Sequence, residues 1–99
     1  MAKMKEIELI LILGLYYFDE GKNVANFTRH FNQYFNKDVS VQTILFSIAK
    51  FKNVNPANNM SIKAEINEYK IVWDEYIGKD RISDLKDIYK SFKNGKFGN

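Results

Sequence analysis

Histidine occurs once in these 99 residues, as His30, and cysteine not at all. A hydrolytic triad needs a nucleophile, a base and an orienting acid held together, and Arg29 and Phe31 beside His30 offer no such setting. Metal ligation by a histidine pair is excluded by count, and a thiolate zinc site by the lack of cysteine. The carboxylates come as neighbours, Asp19–Glu20 and Asp74–Glu75. Adjacent residues on a helix point to different sides, so neither pair makes a shared acid/base site. Glu68-Tyr69-Lys70 matches the E-x-K element of some metal-dependent nucleases, but a chain this rich in Glu and Lys produces such a match by chance. Glycines 14, 21, 78, 95 and 98 are scattered and form no phosphate loop. The expectation is a protein that is not an enzyme, with no catalytic residue, metal or cofactor.

Chemistry of another kind sits in "SVQTILFSIAKFKNVNP", Ser40 to Pro56. At about 100° per residue, Val41, Ile44, Leu45, Ile48, Ala49 and Phe51 share one helix face. Gln42, Thr43, Phe46, Ser47 and Lys50 share the other, with a phenylalanine near its middle. On such a face Gln pairs with adenine, Thr or an aromatic ring touches a thymine or 5-methylcytosine methyl, and Lys reaches guanine or phosphate. Arg29, Lys37 and Lys52 flank the segment as candidate phosphate contacts. Phe46 is either covered by another element, such as the C-terminal helix or a second copy of the chain, or it is an exposed anchor. Exposed aromatics among polar residues also serve as hot spots for protein partners.

Five or so helices position that face. The first spans about Met4 to Phe18, apolar nearly all round and therefore central to the fold, with Gly21 as its stop. Asn23 is a candidate N-cap for "VANFTRHFNQYF", in which Val24, Phe27, Phe31 and Phe35 recur at helical spacing. Ser40 caps the third helix, which runs to about Phe51. The second and third helices, joined by "NKDV", follow the helix-turn-helix order. "NVNPANN" is a loop. The segment after it holds one or two short helices with Val72, Trp73 and Tyr76 inward, ended by Gly78, although "YKIVWDEYI" also reads as a short strand. The last helix follows Ser83 with Leu85, Ile88, Tyr89 and Phe92 as its apolar stripe. The expected fold is an all-α compact bundle, a single helical domain over residues 1–93, with 94–99 as a frayed tail.

Composition agrees with a folded domain: 45% of residues are hydrophobic, 15% are aromatic, and the net charge is only +3. That charge permits a polyanionic partner without requiring one. The apolar run near the N-terminus is interrupted by Glu6 and Glu8, closed by Tyr16, Tyr17 and Phe18, and shorter than the ~20 residues a membrane span needs. No membrane association is expected, and a cysteine-free chain suits the cytoplasm.

Three stretches in the same order resemble a known family. "ELILILGLYY" (Glu8 to Tyr17) is similar to a motif E-L-x-L-A-L-x-L-Y. "SIAKFKNVNP" (Ser47 to Pro56) is similar to K-L-x-N-F-x-x-L-D-P through Ile48, Phe51, Val54 and Pro56. Val72, Trp73, Glu75 and Tyr76 are similar to V-W-x-E-F. Together they resemble the helical N-terminal module of McrA-like, modification-dependent HNH restriction endonucleases. Ser47, Lys50 and Asn55 depart from the Lys, Asn and Asp of the second motif, and no HNH portion is present in the sequence. The resemblance implies a DNA-reading module without the nuclease. Two functions are therefore expected to compete. One is non-catalytic binding of double-stranded DNA through the third helix, with modified cytosine among its targets. The other is a small phage or mobile-element protein that binds and inhibits a host nuclease or other defence protein. A homodimer is compatible with both.

Overall fold

A computed structural model describes residues 5–56 and 67–95. The chain is all-α: α1 (Glu6–Asp19), α2 (Val24–Phe35), α3 (Val41–Val54), α4 (Asn67–Trp73) and α5 (Ile82–Lys93), with a wide π turn, Asp74–Gly78, continuing α4. No strand occurs among the described residues, so the strand reading of "YKIVWDEYI" gives way to α4 and its π turn. The expected start at Met4, residues 57–59 of the Asn/Pro loop, residues 60–66 and the end of the tail lie outside the described residues. Asn53 and Val54, expected in that loop, instead form the last turn of α3.

Helix α1 is the axis of the bundle. Glu8, in its first turn, accepts the Lys5 backbone N–H at 2.7 Å, satisfying a donor that the helix leaves unpaired. At the other end Glu20 and Gly21 both take left-handed backbone (φ 55° and 74°). The Gly21 N–H then donates back to the Leu15 carbonyl at 3.1 Å, a wide left-handed closure that stops the helix. Between these ends, the run from Glu8 to Leu15 is buried without a break. More than two turns buried on every side leave no solvent face, and α1 packs against α3, α4 and α5.

The remaining helices bring their apolar stripes to this axis. Phe27 and Phe31 of α2 are buried, and Phe27 meets Phe92 of α5 with ring centroids 5.5 Å apart. Val72, Trp73 and Tyr76 face inward, as their spacing predicts, and so do Leu85, Tyr89 and Phe92. The Asn23 side chain does not cap α2, contrary to expectation. The residue itself adopts φ 57° and makes the turn out of α1, a conformation asparagine tolerates. The π turn is closed by the Arg81 N–H on the Tyr76 carbonyl at 2.7 Å. The Arg81 guanidinium lies over the Tyr76 ring and pairs with Glu75 and Asp84.

Helix α5 crosses α1 at Gly14. A Cβ placed on Gly14 would lie 2.8 Å from the Cβ, Cγ and ring of Tyr89. The Tyr89 hydroxyl reaches on to donate to Asp19, which also receives the Lys93 ammonium at 3.1 Å. Burial, and then the bond to Asp19, push the Tyr89 phenol well above its ordinary range, so it stays a proton donor.

Gly14→Ala tests this crossing. Replacing a mid-helix glycine gains up to about 1 kcal/mol in helix propensity, whereas overpacking costs roughly 1–3 kcal/mol. The clash includes the Tyr89 Cβ, which is fixed to the α5 backbone and cannot swing away. The expected result is a net loss of about 1–2 kcal/mol in urea unfolding; an unchanged or raised midpoint would show that the two helices are not in contact there.

The outward face of the third helix

The turn that presents α3 is built from side chain to backbone. Asn32 on α2 donates through its amide nitrogen to the Val39 carbonyl and accepts the Val39 N–H, both at 2.9 Å. The pair holds the 36–40 segment much as a strand partner would. Ser40 then caps α3 as expected, its Oγ accepting the Thr43 N–H at 3.1 Å. The end of α2 and the start of α3 are thereby fixed relative to one another.

Helix α3 is rotated from the orientation that simple polarity assigns. Its buried residues are Ile44, Ser47, Ile48 and Phe51. Ser47, expected on the binding face, is only 3% exposed. Its hydroxyl lies 3.2 Å from the Tyr69 hydroxyl of α4 and donates to the Thr43 carbonyl at 3.3 Å. A buried tyrosine hydroxyl needs a partner, and Ser47 supplies it while the Phe51 ring packs edge-on against Tyr69. Thr43 is half-buried, engaged with Ser40. Lys50 is also half-buried, its ammonium 5.2 Å from the centre of the Tyr69 ring. Two of the five expected contact residues, Gln42 and Phe46, look outward.

What joins them is apolar. Phe46 is 62% exposed, Leu45 40% and Val41 36%. Ala49 is exposed as well. The outward face is thus a stripe of Val41, Leu45 and Ala49 at helical repeats, with Gln42 and Phe46 along one flank and Lys52 at the far end. Polarity alone hid Val41 and Leu45, because it placed every aliphatic residue inside. Their exposure was signalled by Ile44, Ile48 and Phe51: at i, i+4 and i+7 these three set the buried direction, and that direction passes through Ser47 rather than Leu45.

The three expected phosphate contacts fare differently. The Lys37 ammonium is 2.5 Å from Glu8 Oε2, inside the core, and is that oxygen's only partner among the described residues. Lys37 therefore neutralises a buried carboxylate and is not available to a phosphate. Arg29 is exposed and donates to Asn26 Oδ1 at 3.1 Å. Lys52 is exposed and shares a shallow surface cleft with Glu20, Tyr16 and Asn55. No group of three or more metal-binding side chains occurs among the described residues, and no helix among them is long and apolar enough to cross a membrane.

Lys37→Ala separates structural from binding cations. Removing one partner of a buried pair costs about 3–5 kcal/mol when both are dry. Lys37 is one-third exposed, so a loss near 2 kcal/mol is expected. Arg29→Ala and Lys52→Ala should stay within about 0.5 kcal/mol of wild type. Equal midpoints for all three in chemical unfolding would refute the assignment of Lys37 to the core.

Comparison with protein-family models, with curated proteins and with solved structures finds no match to this chain, so its own geometry carries the functional reading.

Proposed function

We propose that the domain is a non-catalytic binding module that docks another protein on the outward face of α3, with Phe46 as its anchor. The observation that carries this is a phenylalanine 62% exposed beside an exposed leucine and valine on one helix face. A contiguous exposed apolar patch rimmed by polar groups is the surface signature of a protein contact. Aromatic anchors contribute most of the binding energy at such sites. DNA binding draws its affinity mainly from phosphates, and here one of the three expected phosphate cations is occupied by Glu8.

The chemistry of the partner follows from charge. Helix α3 contains Lys50 and Lys52 and no acid. A second copy would set these lysines against no carboxylate, so α3-to-α3 pairing gains nothing electrostatically. The complementary surface is an apolar groove or amphipathic helix with acidic margins. A small inhibitor of a nuclease or other defence protein in the cytoplasm would use such a face.

One observation favours a second reading. Gln42 and Phe46 stand exposed in the first half of a helix that follows α2 and a fixed turn, where helix-turn-helix proteins contact base edges. The resemblance to McrA-like recognition modules points the same way, toward duplex DNA with plain or modified cytosine.

A photo-crosslinking residue at position 46, with one at exposed Gln33 as control, separates the two in the native host. The protein reading expects a defined protein adduct at 46 and none at 33. With that partner purified, Phe46→Ala should weaken binding by about 2 kcal/mol or more while leaving the unfolding midpoint unchanged. Nucleic-acid adducts at 46, with duplex affinity that falls steeply as salt rises, would establish the DNA reading instead. The same background at both positions would remove α3 as the working face.

A further inference from the structure

The C-terminal ends of α1 and α5 and the first turns of α2 enclose a second feature, a cleft of about 180 Å³. Phe27 and Phe92 form its floor, and Asp19, Lys22, His30 and Lys93 stand around its rim. Pockets for whole cofactors or drug-sized ligands run to roughly 300–1,000 Å³. This one admits a group only a few heavy atoms across.

The rim has one acid against three basic side chains. Asp19 is already matched: it accepts the Tyr89 hydroxyl and, at 3.1 Å, the Lys93 ammonium. The Tyr89 bond, opposed by partial burial and helped by Lys93, holds its carboxyl below the usual range. Asp19 and Lys93 therefore cancel as a pair. The Lys22 and His30 side chains are exposed and form no hydrogen bond or ion pair with the described residues, Lys22 adding only the smallest of the influences that lower the Asp19 carboxyl. Asn26 also lines the cleft, and Arg29 donates to its carbonyl oxygen, which leaves the Asn26 amide nitrogen to donate elsewhere. The uncommitted groups are thus donors carrying positive or no charge, above an apolar floor.

We infer that this cleft binds a phosphate group, with Lys22, His30 and the Asn26 amide as its contacts and Lys93 held in place by Asp19. Lysine serves such a ligand as a point charge, and amide and imidazole donors fix its orientation. The same chemistry is offered by a free phosphate, by a nucleotide and by a nucleic-acid backbone. The site does not depend on what α3 binds.

Amide chemical-shift titrations of the full chain, at constant ionic strength set with chloride, test it with three probes: inorganic phosphate, a nucleoside monophosphate and a short DNA duplex. The expected result is saturable movement of the signals of residues 22–30, in the millimolar range for inorganic phosphate. Lys22→Ala with His30→Gln should weaken it roughly tenfold or more, and both positions are exposed, so the fold is unaffected. Equal affinity for phosphate and the monophosphate assigns a free ligand; markedly tighter duplex binding assigns a polymer-borne phosphate. No movement with any probe, or movement that the double variant leaves intact, would overturn the inference.

Discussion

A helix whose residues from Glu8 to Leu15 are all buried has no face of its own to give to water. It folds only where neighbours cover it on every side, and the rest of this small domain is arranged to do so. Helices α3, α4 and α5 pack directly on it, and α2 closes the remaining corner with Phe27 and Phe31. At one place the approach is so close that the axis carries glycine, and the ring of Tyr89 occupies the space a side chain would need. The requirement extends to charge. Glu8 terminates the helix through the Lys5 N–H, and its second oxygen, shut away from water, draws Lys37 out of the α2–α3 turn. Helix ending, core and turn are thereby coupled by one carboxylate.

Covering α1 determines what each outer helix has left for solvent. Helix α3 spends Ile44, Ile48 and Phe51 on the core and Ser47 on the Tyr69 hydroxyl. Val41, Leu45, Ala49 and Phe46 are surplus to that packing. Single exposed apolar residues are ordinary on protein surfaces; several on one helix face, with no acid among them, are a surface suited to a partner. This distribution separates the present reading from one based on helix order alone. The order of α2, turn and α3 fits a DNA-reading helix, whereas the side chains displayed by α3 are better matched to an apolar, acid-rimmed surface.

Much of the fold was legible because long-range packing and local pattern agree. The apolar first helix, its Gly21 stop, the Ser40 cap and the inward Val72, Trp73 and Tyr76 all follow from spacing and turn chemistry. Less of the candidate site was legible. Phe46 and Gln42 lie where the helical wheel puts them, but Ser47 does not, because a wheel ranks residues by polarity and cannot know that a tyrosine hydroxyl on a later helix needs a buried partner. Lys37 was assigned to phosphate for the same reason: its carboxylate lies 29 positions earlier in the chain, on α1, whereas Lys37 itself is in the α2–α3 turn. The cleft beside Asp19 assembles residues from three helices, and no local pattern marks it.

The central claim is that α3 turns an apolar face to solvent because the core is complete without it. A triple variant, Val41→Glu, Leu45→Glu and Phe46→Glu, puts three carboxylates on that face. If the claim holds, the isolated domain keeps its helical content and unfolds in urea within about 0.5 kcal/mol per position of wild type. A loss of several kcal/mol, or failure to fold, would mean that these side chains belong to the interior.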